Sequence, residues 1–233
     1  MSSPDTMSDN PRKVFFDFCE TLIRFQTADR FVDFCRKELR SNRMRRLQCA
    51  TFLLTKLRLF TILNLLSHGW GGSVHKRLVL SQLKGIDHPT LNRLGKAYFE
   101  TMLQPAVIRP VIETMKRHIS CGDEVWIVSG GYDIYIKHFV RHYGLKGYFV
   151  SEIAYDNETG ACLGRMKGKD CMGATKVSIL QRYFGNDLSD TVAYSDSRSD
   201  LPLLSAVSTG FVISHSRHQK WIEQYNFQEI IWE

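Results

Sequence analysis

The chain alternates short, almost uninterrupted apolar runs with longer stretches in which apolar residues recur every three or four positions. The first run, Val14-Phe-Phe16, follows Lys13 and closes on Asp17. Glu124-Val-Trp-Ile-Val-Ser129, Tyr148-Phe-Val-Ser-Glu-Ile153, Asp190-Thr-Val-Ala-Tyr-Ser195 and Gly210-Phe-Val-Ile-Ser214 have the same character. Apolar runs without polar alternation suit parallel strands covered by helices on both faces. Helical spacing fills the intervals at Pro110–Ile119, Ile134–His142, Thr175–Phe184 and Leu201–Val207. Strands alternating with helices predict an α/β fold, a doubly wound Rossmann-like parallel sheet. Ligands of such sheets bind at the carboxyl ends of the strands. Asp17, Ser129-Gly130-Gly131 and Asp196 all stand at such ends.

Between the first run and the one at Glu124 lie roughly a hundred residues of mostly helical periodicity, far more than a βα connection requires. They predict a helical cap inserted over 23–107, with a core domain built from 12–22 and 108–233. Residues 1–11, MSSPDTMSDNP, are polar and carry proline, so a disordered tail is expected there. They have no apolar core and do not read as a secretory signal.

A formal charge of +7 suits an anionic partner without choosing among phosphate esters, lipid headgroups and nucleic acid. The richest apolar stretch, Leu47–Leu66, is interrupted by Lys56 and Arg58 and makes a poor membrane span. Cysteines 19, 35, 49, 121, 162 and 171 show no Cys-x-x-Cys spacing, which suits reduced thiols in a cytoplasmic protein. The basic run Arg36, Lys37, Arg40, Arg43, Arg45 and Arg46 reads first as the solvated face of a helix pair. The sharper reading is contact with a membrane surface or a large, lipid-linked anionic substrate. Nucleic acid is not expected, because no aromatic residues are interleaved for stacking.

Four signatures occur in order at strand ends. The first is Asp17-Phe-Cys19-Glu-Thr21, and the second is Ser129-Gly130-Gly131. The third is Lys176 within Asp170-Cys-Met-Gly173-Ala-Thr-Lys176, and the fourth is Tyr194-Ser-Asp196-Ser-Arg-Ser-Asp200-Leu-Pro-Leu. Together they resemble the haloacid dehalogenase phosphohydrolases, most closely the phosphoserine-phosphatase-like branch with a helical cap after the first motif. The resemblance implies a Mg²⁺-dependent phosphatase or phosphotransferase acting on a small phosphorylated metabolite. Asp17 would be the nucleophile that forms an aspartyl-phosphate, with Thr21, Ser129, Gly130 and Gly131 holding the substrate. Lys176 would neutralise Asp17 and the phosphate. Metal ligands would come from Asp17, the Cys19 carbonyl and the Asp196–Asp200 pair, one of the two binding the ion and the other orienting its water or Lys176. In that branch a cap Glu, nine residues after the nucleophile, holds the phosphoserine amine. Here the position is Gln26, which argues against phosphoserine. Bacterial polysaccharide-assembly members carry a similar Asp-Phe-Cys-x-Thr loop, so cell-surface polysaccharide or lipid biosynthesis is a plausible setting.

The second Asp of the family's first motif is Cys19 here. Its carbonyl survives the substitution, and Mg²⁺ prefers oxygen to sulfur. Proton transfer is what suffers, since a thiol with pKa near 8.5 is a poor general base. Slow hydrolysis, transfer to an acceptor other than water, and a catalytically impaired phospholigand-binding or regulatory protein all follow, beside the plainer reading of a small tolerated residue. Gly164-x-x-x-Gly168-Lys169-Asp170 is not a P-loop, having three intervening residues and no Ser/Thr.

Overall fold

The computed structural model describes residues 11–40, 42, 44, 46, 49 and 70–233. The tail at 1–10, Arg43 and Arg45 of the basic run, and all of Leu47–Leu66 except Cys49 lie outside the described residues.

Seven strands form one sheet in the order β4-β3-β2-β1-β5-β6-β7. They are β1 (Lys13–Phe16), β2 (Glu124–Tyr132), β3 (Gly147–Tyr155), β4 (Cys162–Lys167), β5 (Thr191–Ser195), β6 (Thr209–His215) and β7 (Gln228–Trp232). All neighbours pair in parallel except β3 and β4. The strand expected to stop at Ser129 continues through Gly130-Gly131 to Tyr132, with a register shift between Ser129 and Tyr132. Such an irregularity re-aims the backbone where a ligand approaches. The helices are α1 (Thr27–Leu39), α2 (Trp70–Ser81), α3 (His88–Tyr98), α4 (Arg109–Ser120), α5 (Asp133–Tyr143), α6 (Ala174–Phe184) and α7 (Leu201–Ala206).

Successive residues of a strand face opposite sides, and β1 divides the core accordingly. Val14 and Phe16 join a large cluster with Phe31, Leu80, Leu91, Tyr98 and Tyr135. Phe15 joins a smaller one on the other face with Trp126, Leu180, Leu203 and Leu204. The described helices of the inserted region therefore share a core with the sheet. On the first face, Phe16, Tyr194 and Phe211 stack across β1, β5 and β6 at ring separations of 4.3 and 4.6 Å.

The two ends of the insertion are tied together. Ile23 forms an antiparallel bridge with Val107, the Arg24 amide donates to the Ala106 carbonyl, and the Ile108 amide donates to that of Leu22. Further along, Gly85 and His88 donate to the carbonyls of Cys162 and Gly160, which fastens the insertion to the β3–β4 hairpin.

Candidate active site

A cavity of about 270 Å³ opens at the carboxyl ends of β1, β2 and β5. Asp17, Cys19, Gln26, Ser129, Gly130, Gly131, Lys176, Asp196 and Asp200 line it, and Thr21 does not. Asp17 follows β1 directly, and its amide still pairs with the Tyr194 carbonyl at 2.8 Å. The chain then turns tightly, with Leu22 and Ile23 both donating to the Phe18 carbonyl and Glu20 in the left-handed region at φ 56°.

Thr21 is fully buried and departs from its expected role. Its hydroxyl donates to Asp196 Oδ1 and accepts from the Asp196 amide, each at 3.0 Å. It fastens the loop after β1 to the loop after β5 instead of facing a substrate.

Lys176 is in the first turn of α6 and 3 % exposed. Its ammonium donates to Asp17 Oδ1 at 2.7 Å and to Asp200 Oδ2 at 2.5 Å. Burial pulls this lysine's pKa down, but the Asp17 and Asp200 carboxylates more than offset it, so the group is held charged. Asp200 Oδ2 also accepts from Ser195 Oγ at 2.7 Å. Of the two roles open to the Asp196–Asp200 pair, these contacts favour Asp200 as the anchor of Lys176, at variance with its inclusion among the metal ligands.

Asp196 is different in character. Burial first, and the Asp17 carboxylate next, push its pKa up to about 7. Lys176 occupies one oxygen of Asp17 and Thr21 one oxygen of Asp196; among the described residues no donor reaches the other oxygen of either. Two carboxylates lining the cavity, beside a main-chain carbonyl at residue 19, make an all-oxygen donor set suited to a hard divalent cation. No three His, Cys, Asp or Glu side chains converge as a metal site among the described residues, as expected when one donor is a backbone carbonyl. His138 and His142 stand one turn apart on α5, where the His142 ring packs on Phe99 at 5.3 Å.

Cys19 Sγ meets Thr27 Oγ1 at 3.1 Å, and Thr27 Oγ1 meets the Tyr135 hydroxyl at 2.7 Å. Burial, then Asp17, push the thiol pKa up to about 12. Cys19 is therefore neutral at physiological pH and unable to serve as a base. Gln26 is exposed, and its amide donates to Glu20 Oε2 at 2.5 Å.

Ser129 is 1 % exposed, and its Oγ accepts from the Gly131 amide at 3.3 Å. A Cβ on Gly131 would lie 2.7 Å from Ile136 Cδ1 and 3.0 Å from the Tyr135 hydroxyl, so a side chain here would have to displace α5 side chains.

The sequence reading missed the insertion's contribution. Lys76 of α2 reaches the cavity and donates to the Gly130 carbonyl at 2.6 Å and to Asp170 Oδ1 at 2.5 Å. Beside it, His75 meets Asp29 of α1 at 2.8 Å, and this contact raises the imidazole pKa. Lys76 follows no spacing rule that would distinguish it from the other basic residues.

A phosphoserine phosphatase of Streptomyces coelicolor is 32% identical over 141 residues, covering 59% of this chain and 32% of that protein. Phosphoserine phosphatase SerB1 of Mycobacterium tuberculosis is 25% identical over 142 residues, 60% of this chain and 46% of its own length. The chain thus spans less than half the length of these relatives. A Bordetella pertussis protein of unknown function superposes with a TM-score of 0.76 at 18% identity, covering 95% of this chain and 99% of that one. A substrate-bound phosphoserine phosphatase superposes with a TM-score of 0.61 at 20% identity, covering 95% and 94%. These two establish likeness of fold. The family model of the haloacid dehalogenase-like hydrolases matches residues 14–205, and the chain belongs to that family.

Proposed function

We propose that the chain is a Mg²⁺-dependent phosphatase or phosphotransferase of a small phosphorylated metabolite, working through an aspartyl-phosphate on Asp17. The observation that carries this reading is the buried Lys176 ammonium held between Asp17 and Asp200 at the cavity floor. It neutralises the nucleophile's charge, so a phosphoryl dianion can approach a carboxylate without prohibitive repulsion. Asp17, Asp196 and the Cys19 carbonyl would hold the cation, which supplies further positive charge for the transferring phosphoryl oxygens.

In the first step an Asp17 carboxylate oxygen forms a bond to phosphorus while the ester P–O bond breaks. The departing oxygen takes a proton from solvent water. In the second step a water, or another hydroxyl, attacks phosphorus and passes its proton to solvent while the bond from phosphorus to Asp17 breaks and Asp17 leaves as the carboxylate. The Ser129 hydroxyl and the amide that follows it, that of Gly130, would supply donors for the phosphoryl oxygens. A thiol with pKa near 12 gives up its proton reluctantly and cannot deprotonate water. Hydrolysis is thus slow in the second step, which leaves time for an alternative acceptor. The same observation favours the second reading, a catalytically impaired protein that binds a phospholigand through an intact scaffold.

Residues 23–107 act as the cap over a core of 12–22 and 108–233, as the bridge between Ile23 and Val107 supports. A neutral Gln26 turned to Glu20 supports a substrate other than phosphoserine. The exposed Arg40 and Arg46 support contact with a large or lipid-linked anionic substrate. The Asp17-Phe-Cys19 loop supports a place in cell-surface polysaccharide or lipid biosynthesis, and six free cysteines support a cytoplasmic setting. Among the described residues no helix is long and apolar enough to cross a membrane.

A panel of phosphomonoesters, including phosphoserine, incubated with Mg²⁺ and with added hydroxyl acceptors tests the proposal. Phosphate release or transfer should depend on Mg²⁺ and vanish in Asp17→Asn. Turnover that survives in Asp17→Asn would overturn it.

A further inference from the structure

We infer that Lys76 is a positioning residue for phosphoryl binding: reaching in from the insertion, it fixes the Gly130–Gly131 peptide so that the Ser129 hydroxyl is presented, proton outward, to the phosphoryl group. The inference rests on the reading of the cavity as a phosphoryl site.

Lys76 is 9 % exposed, and its three ammonium protons have three acceptors. These are the Gly130 carbonyl at 2.6 Å, Asp170 Oδ1 at 2.5 Å and Ser151 Oγ at 3.4 Å. The cage is itself braced, since Ser151 Oγ donates to Asp170 Oδ1 at 2.6 Å and accepts from the Cys171 amide at 3.1 Å. The position of the ammonium is therefore set by α2, β3 and the 170–171 segment together.

A trans peptide directs its C=O and N–H to opposite sides. With the Gly130 carbonyl drawn toward Lys76, the Gly131 N–H points the other way, and there it donates to Ser129 Oγ at 3.3 Å. Ser129 Oγ is thereby engaged as an acceptor, and its own proton is left for an acceptor in the cavity it lines. An ammonium on the carbonyl polarises the same peptide, so the N–H and then the O–H become stronger donors in series. Gly130 is part of the device. A Cβ there would lie 2.6 Å from Met172 Cγ and 3.4 Å from Lys76 Nζ. Seating of α2 and readiness of the phosphoryl-binding segment are consequently one event.

The test is a double-mutant cycle read by calorimetry, with inorganic phosphate titrated into the Mg²⁺-loaded protein. Wild type, Lys76→Met, Ser129→Ala and the double variant are compared. Lys76→Met should weaken phosphate binding about tenfold, the scale of one charge-assisted hydrogen bond. In the Ser129→Ala background the same substitution should cost less than about twofold, because the group through which Lys76 acts is gone. A merely structural lysine would cost the same in both backgrounds, and that result, or no loss in either, overturns the inference. Should Lys76→Met fail to fold because Asp170 loses its cation, Lys76→Met/Asp170→Asn replaces it in the cycle. Absence of phosphate binding by the wild type would overturn the phosphoryl-site reading and the inference with it. Binding without coupling would overturn the inference alone.

Discussion

Cys19 Sγ lies 3.1 Å from Thr27 Oγ1, so the side chain two positions after Asp17 is tied to the first residue of α1. The Thr27 carbonyl in turn accepts from the Tyr98 hydroxyl at 3.0 Å, which extends the tie to α3. A thiol in this setting stays protonated, with its pKa pushed up to about 12 by burial and by Asp17.

Replacing this thiol with a carboxyl should raise turnover. Cys19→Asp keeps an acceptor for the Thr27 hydroxyl and adds a group that can give and take a proton. The expected gain in steady-state hydrolysis of an aryl phosphate approaches ~10²-fold, the lower end for a positioned acid/base. A variant that folds and responds to Mg²⁺, yet turns over no faster, would show that proton transfer is not limiting. Faster hydrolysis with reduced transfer to an added hydroxyl acceptor would mean that Cys19 protects the aspartyl-phosphate from water.

Mg²⁺ should stabilise the protein through Asp196, and more so as pH rises. The Asp196 carboxyl is raised from an unfolded value of about 3.9 to about 7. A raised carboxyl binds its proton more tightly in the folded state. In the metal-free protein its contribution to stability is full below about pH 4 and is lost as pH climbs to about 7. A cation between Asp17 and Asp196 removes that loss. Melting curves with and without Mg²⁺ should therefore show a larger Mg²⁺-induced rise in Tm at about pH 7.5 than at about pH 5. Asp196→Asn should abolish the rise and Cys19→Ala should leave it, because residue 19 would hold the ion through its backbone carbonyl. An equal rise at both pH values, or the reverse ranking of the two variants, would refute this ligand set.

Lys176→Met should destabilise the metal-free protein strongly. The substitution leaves Asp17 and Asp200 buried without their shared cation, and breaking such a pair costs about 3–5 kcal/mol. Urea unfolding would read the loss directly. A change below about 1 kcal/mol would mean that the three groups do not interact as their distances imply.

The central strands and their carboxyl ends were legible because β1, β2 and β5 are covered on both faces and read as unbroken apolar runs. The edge strands were not. β4 reads Cys-Leu-Gly-Arg-Met-Lys and β7 reads Gln-Glu-Ile-Ile-Trp, and each is solvated on one side and so lacks a continuous apolar signature. Thr21 was visible as a motif residue, but its turn toward Asp196 depends on two loops 175 residues apart. Lys76 was illegible for a similar reason: its partners are a carboxylate 94 residues away and a backbone carbonyl 54 residues away, and backbone atoms leave no trace in residue identity.

The account turns on Asp17 as the nucleophile, and the direct measurement is chemical trapping of its phosphorylated form. The protein is mixed with Mg²⁺ and an aryl phosphate, quenched in acid during turnover, and reduced with borohydride. Peptide mass spectrometry then reads residue 17. An aspartyl-phosphate is reduced to homoserine, so conversion at Asp17, absent when Mg²⁺ or the aryl phosphate is omitted, is the predicted result. Conversion at another carboxylate, or steady turnover with Asp17 unmodified and replaceable by Asn, would contradict the account.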